Sequence, residues 1–247
     1  MLIVLALAAA LVAGCGSSGS SSSSTTTASS ASTLAPVHGR YAPAIDSSNF
    51  VATVDNPYWP LKPGTGFHFK GVRGTTPQRD DEIVTDRTKT IEGVVSTVVR
   101  DTVSERTGPV ERTFDYYAQD TAGNVWYMGE LSLEKKHGKF AKASDSWLSG
   151  VDGAEPGIIM PADPQPGDQY RQEYYPPGEA LDEAHVLSLH GKAAVPYGSY
   201  GDVLVTSEFS PLEPQTEQKY YVSGVGEVKE KVVKGHHEAF QLVAITH

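Results

Sequence analysis

At 247 residues, with 39% hydrophobic and 20% charged side chains, the chain has an ordinary globular balance and room for one large β domain or two smaller ones. Thirty acids against twenty Lys and Arg give a formal charge of −10, which argues against a general nucleic-acid-binding surface. The single cysteine, Cys15, excludes an intrachain disulfide and a thiolate zinc site.

The chain opens on an apolar run from Leu2 to Leu11, too short to span a bilayer and matching the core of a secretory signal. Val12-Ala13-Gly14-Cys15 closes it and resembles the lipobox of bacterial lipoproteins, which implies cleavage before Cys15 and a diacylglycerol on its thiol. The alternative is a plain secretory signal with an incidental cysteine. No Lys or Arg precedes the run, so a start codon further upstream is expected, with a charge-free start as the alternative. Gly16 to Ser32 is nearly all Ser, Thr, Gly and Ala, a composition that cannot bury enough apolar surface to fold and reads as a flexible tether. The division predicted is a signal over 1–14, a lipidated cysteine and tether over 15–33, and a single β domain over 34–247.

Leu34 to Asn49 reads as an irregular lead-in, followed at Phe50–Val54 by a short strand or an arm packed on the domain. Asn56-Pro57-Tyr58-Trp59-Pro60-Leu61-Lys62-Pro63 carries three prolines and is neither helix nor central strand. Its Tyr58, Trp59 and Leu61 are expected to plug one end of the core, with an aromatic ligand platform as the alternative. Alternating segments then predict strands at 66–70, 82–91 and 94–100, the last two joined by a Glu92-Gly93 turn. Two aromatic-rich arms, Glu111–Gln119 and Asn124–Leu131, form a hairpin around Asp120-Thr121-Ala122-Gly123-Asn124, and the sheet is organised around it. Phe140–Trp147 is a further strand. Gly150 to Pro161 breaks the pattern and is expected to fold over the sheet as an irregular loop burying Ile158, Ile159 and Met160. Strands follow at 169–175, 186–189, 203–209, 218–222, 228–233 and 239–245, with a short helical turn near 179–184. The fold class predicted is all-β: a large, mostly antiparallel meander, strongly curled or barrel-like, with long loops and little helix.

Taken together, NPYWPLKPGT, DYYAQD with GNVWYMGE, and KYYVSGVG make residues 55 to 245 resemble a group of uncharacterised bacterial exported proteins. The last motif is also similar to lipoproteins with a curved antiparallel sheet, including carriers shaped like a half-barrel. The resemblance implies an envelope location and a β-rich fold, and supplies no catalytic residue.

The chain carries no Gly-rich phosphate loop, nucleophile elbow, zincin helix or EF-hand loop. Acids set among aromatics, Asp115, Asp120, Glu130 and Glu173, are the main candidates, since glycoside hydrolysis needs two carboxyls roughly 5 to 10 Å apart beside aromatic platforms. The competing reading makes them acceptors for backbone, Tyr or Arg donors at strand ends. Loop acids Asp152, Asp163, Asp168, Asp182 and Glu183 lack the ordered spacing of a calcium site, and His185, His190, His236 and His237 lack a ligand arrangement, so neither metal nor cofactor is expected. The function expected is an envelope-anchored lipoprotein, monomeric, whose curled sheet binds a small apolar, aromatic or lipid-like ligand through Asp115, Tyr116, Gln119, Trp126, Glu130, Tyr170 and Glu173. The alternatives are a carboxylate-dependent hydrolase acting on a glycan or ester, and a scaffold without ligand.

Overall fold

The computed structural model describes residues 30–212 and 214–247. The lipobox and most of the tether lie outside the described residues.

The strands follow one another with little else between them. The N-terminal half holds β1 (Phe50–Val51), β2 (Gly66–Arg73), β3 (Thr76–Ile91), β4 (Val94–Asp101), β5 (Val103–Glu105), β6 (Gly108–Pro109), β7 (Glu111–Asp120) and β8 (Val125–Lys136). The middle holds β9 (Lys139–Lys142), β10 (Trp147–Leu148), β11 (Glu155–Met160), β12 (Gln169–Arg171) and β13 (Glu173–Tyr174). The C-terminal part holds β14 (Glu183–Val195), β15 (Gly198–Phe209), β16 (Thr216–Val222), β17 (Gly226–Lys234) and β18 (Glu238–Thr246).

The pairings are antiparallel and run from β14 through β15, β16, β17 and β18 to β2, then through β3, β4, β7 and β8 to β11. The closing step falls to residues 169–174: β13 pairs with β11, and β12 pairs with β14. The sheet thus bends nearly into a barrel, and bending hides edges that would otherwise template aggregation. At this seam Gly157 lies so close to the neighbouring chain that a Cβ would stand 2.3 Å from the carbonyl carbon of Gln172, so only glycine fits.

The β7–β8 hairpin is central, with β4 on one side and β11 on the other. Its turn is organised by Asp120, whose Oδ1 accepts from the amides of Ala122 (3.0 Å) and Asn124 (2.9 Å), while Oδ2 accepts from Asn124 Nδ2 and Trp126 Nε1. Gly123 takes the positive φ of 98°, the conformation expected of this turn. Glu92 and Gly93, at φ 48° and 80°, make the tight β3–β4 turn predicted for them.

Four expectations change. The segment expected as an irregular loop contains β11, which pairs Ile158 with Trp126 and buries Ile158, Ile159 and Met160. Pro156 and Gly157 read as breakers in sequence, yet here they serve a short strand with a close backbone contact. The single strand predicted over 140–147 divides into β9 and β10, and the helical turn predicted near 179–184 is a 3-10 turn at Pro176–Gly178. Finally, packed chain begins before residue 34. Helix α1 (Ser30–Leu34) buries Ala31 completely, and the chain beyond it is tied to the barrel seam by Arg171, which donates to the carbonyls of Pro36 (3.1 Å) and Val37 (2.6 Å) and pairs with Glu183 (3.1 Å).

Candidate functional site

Strand side chains alternate between faces, so one choice of phase fixes what fills the barrel. On β2 the inward residues are Phe67 and Phe69. Their cross-strand partners on β3 are Glu82 and Asp80. Asp101 from β4 and Glu111, Asp115 and Tyr117 from β7 line the same interior. On β8 a bulge opposite Tyr116 and Tyr117 inserts one extra residue around Met128. That insertion brings both Tyr127 and Glu130 into the cavity lining although they are three apart. Gly129, at φ 135°, carries the distortion, and a Cβ there would meet the Trp147 carbonyl oxygen at 2.7 Å.

The resulting cavity has a volume of about 610 Å³. Among the described residues it is lined by fourteen Asp and Glu side chains and two basic ones, Arg73 and Lys219. Both cations are already paired: Arg73 with Glu238 (3.0 Å) and Glu111 (4.0 Å), and Lys219 with Glu208, Glu217 and Glu230 (3.5, 3.6 and 3.8 Å). Burial opposes the charge on Lys219, but Glu208, Glu217 and Glu227 outweigh it and hold its pKa well above the usual ammonium range. Aromatic rings complete the wall. Trp59 packs edge-on against Tyr117 (5.4 Å between centroids), Tyr117 stacks on Tyr127 (5.0 Å), and Trp147 closes edge-on against Tyr127 (5.4 Å).

Two carboxyl groups share one phenol. Tyr127 Oη lies 2.6 Å from Asp115 Oδ1 and 2.9 Å from Glu130 Oε2. The phenol has one proton, so it donates to one carboxylate, and the other carboxyl must carry a proton to donate back. Burial raises Asp115 to about 7, and burial followed by the Asp115 charge raises Glu130 to about 9. Glu130 is the more strongly raised of the two, so as pH rises it is the carboxyl that keeps its proton longer. Glu173 accepts from Trp147 Nε1 (2.8 Å) and is raised to about 8, by burial first and then the Asp182 charge.

On the other side of the cavity, Asp80, Glu82 and Asp101 each place one carboxyl oxygen within 4.8 Å of the others. That is twice the roughly 2.4 Å distance at which Ca²⁺ binds oxygen, so these three residues could hold a hard divalent cation. Asp80 Oδ1 and Asp101 Oδ1 are sealed from solvent, and a side-chain hydrogen bond links the two carboxyl groups. Burial, then the charge of Asp80, pushes both Glu82 and Asp101 well above the carboxylate range.

Of the residues singled out from sequence, Asp115, Glu130 and Glu173 line this cavity together. The other four lie elsewhere. Tyr116, one position out of phase with Asp115 and Tyr117, sits beneath Lys89 Nζ (4.5 Å from the ring centre). Gln119 accepts from the Asp55 and Asn56 amides (2.9 and 2.8 Å) and donates to the Asp55 carboxylate, binding the N-terminal arm to β7. Trp126 packs on Phe50 and lines a separate cavity of about 350 Å³ beneath that arm. Tyr170 is completely buried outside the lining of the main cavity. Trp59 and Leu61, expected as a core plug or as a platform, pack on the core and line the cavity at once.

The pocket expected to be apolar is acidic. That expectation weighed the aromatics of β7 and β8, whereas Asp80, Glu82, Glu208, Glu227, Glu230 and Glu238 reach the same interior only through closure. In sequence each looks like the solvated face of a strand. The available signal is the period-two spacing of Asp80 and Glu82 on β3.

No protein-family model matches the sequence, and no curated protein matches it. Two crystal structures resemble the fold. One is an exported protein of Bacteroides fragilis described with a YMCC-like fold, 11% identical, with TM-score 0.40, covering 77% of this chain and 99% of its own. The other is a lipoprotein of Parabacteroides distasonis, 10% identical, with TM-score 0.43 and the same two coverages. Neither likeness assigns an activity to this chain.

Proposed function

We propose that the protein is a lipid-anchored envelope protein whose barrel interior binds a small positively charged ligand. The observation that carries the reading is the charge balance of the cavity: fourteen acids face two cations, and both cations are already occupied. Crowding carboxyls in a poorly solvated space is unfavourable, and it keeps several of them protonated. A ligand cation relieves that repulsion and would draw the protons off. The volume of about 610 Å³ lies in the range of small-molecule sites, and the aromatic residues Trp59 and Tyr117 in its lining suit an organic cation. Anchoring rests on the apolar run and Cys15, which would hold the barrel at the membrane.

Positive charge could come from an organic ammonium or from a divalent metal, and the test separates them. Purified protein is melted with cadaverine, with Ca²⁺ and with an uncharged sugar. A rise in melting temperature with cadaverine or Ca²⁺ supports the reading, because a ligand that binds only the native state stabilises it. No rise with either cation at saturating concentration would overturn it.

The Tyr127 bridge favours one second reading, a hydrolase using Asp115 and Glu130 as base and acid. Two carboxyls with well separated pKa values are what acid–base division of labour requires. Loss of turnover on a glycan substrate in Asp115→Asn, with melting unchanged, would select this reading.

A further inference from the structure

We infer that the outer face of the barrel over β3, β2, β18, β17 and β16 docks on an anionic lipid bilayer. Successive residues of a strand face opposite ways, so those between the cavity-lining positions point outward. Phe69, Phe240, Glu230 and Lys219 line the cavity. Beside them an outward row runs Arg79, Lys70, Gln241, Lys229 and Tyr220, each paired in register with the next. The next row adds Lys231 among uncharged residues. Four steps between strands spread each row over about 19 Å. On the other flank stands Asp81, whose carboxylate is taken up by His68 Nδ1 (2.7 Å).

Among the described residues, no carboxylate pairs with Lys70, Arg79, Lys229 or Lys231. Instead the ammonium groups of Lys229 and Lys231 converge on one ring, 5.4 and 5.6 Å from the centre of Tyr220. A ring face attracts cations without neutralising them, so two ammonium groups gathered there favour an anion beside them. The clustering runs against the chain's net charge of −10. Acids crowd the interior, fourteen of them in the cavity, while this stretch of outer wall carries the opposite sign. A planar bilayer meets one face alone, whereas a flexible polyanion that wraps the molecule also meets its acids. Each Lys or Arg held near an anionic membrane strengthens binding by about fivefold. Contact through four such residues is reversible and sensitive to salt, so it orients an anchored barrel without retaining it on the membrane. It is independent of what the cavity binds.

The test floats vesicles with the full-length Cys15→Ser protein, which has no thiol to carry a lipid, at low ionic strength. Phosphatidylglycerol vesicles should carry the protein upward, pure phosphatidylcholine vesicles should not, and added salt should release it. Lys70→Gln/Lys229→Gln/Lys231→Gln should weaken binding by about a hundredfold, the product of three cations at about fivefold each. Lys70→Glu, at an exposed position, should act in the same direction and serves if the triple variant folds poorly. Lys142→Gln, exposed on β9 and outside this face, should leave binding unchanged. Equal binding to both kinds of vesicle, binding to neither, or an equal loss in Lys142→Gln would overturn the inference. Tighter binding to soluble heparin than to the vesicles would also overturn it, making the partner a free polyanion.

Discussion

Asp115 and Glu130 stand directly opposite each other across the β7–β8 ladder, and both carboxyls reach the phenol of Tyr127. Cross-strand neighbours of like charge are normally destabilising. Here the pair persists because one partner keeps its proton, and that proton makes the stability of the barrel depend on pH.

The raised carboxyls predict the sign of that dependence. In the folded protein Asp115 titrates at about 7, Glu173 and Glu230 at about 8 and Glu130 at about 9, against roughly 4 in the unfolded chain. The native state therefore binds more protons over this interval, so stability is highest near the low end and falls as pH rises towards 9. Thermal melts of the unliganded protein between pH 5 and 9 should show a falling midpoint. A midpoint that rises over that range would mean the acids are not buried together.

Removing the bridge isolates its contribution. Tyr127→Phe keeps the stacking on Tyr117 and edge contact with Trp147 but leaves the two carboxyls without their shared partner. A loss of about 1 to 3 kcal/mol in chemical denaturation is expected, the cost of unsatisfied buried polar groups. Glu130→Gln in the same protein should flatten the fall in stability between pH 7 and 9.

Trp126 tests the hairpin itself. It is 4% exposed, packs on Phe50 and donates to Asp120. Trp126→Ala should cost about 3 to 5 kcal/mol, the range for deleting a large core aromatic. A cost below about 1 kcal/mol would place the side chain outside the core.

Cys15→Ser should shift the protein from the membrane to the soluble fraction with its melting temperature unchanged. Retention in the membrane after a carbonate wash would refute the anchor.

The architecture was legible because β periodicity is local. The strands of the hairpin, the Glu92-Gly93 turn and the burial of Ile158 to Met160 all follow from residues near one another in the chain. The cavity was only half legible. Asp115 and Glu130 stood out because aromatics surround them, but Tyr127 was hidden by the bulge, which overrides the alternation that would send it to the opposite face from Glu130. Asp80 and Glu230, 150 positions apart in sequence, share an interior only because β18 returns to pair with β2. No pattern within a single strand carries that information, so the acids of the C-terminal strands read as solvent-facing.

The most direct measurement is calorimetric titration of cadaverine into the purified protein at pH 8, in two buffers with different ionisation heats. A cation entering the cavity lowers the carboxyl pKa values, so Glu130, Glu173 and Glu230 should give up protons on binding. Binding should be saturable, with a heat that differs between the buffers by the amount expected for proton release, and should be lost in Asp80→Asn/Asp101→Asn. Saturable binding with no proton release would contradict this reading, as would the absence of binding by both cadaverine and Ca²⁺.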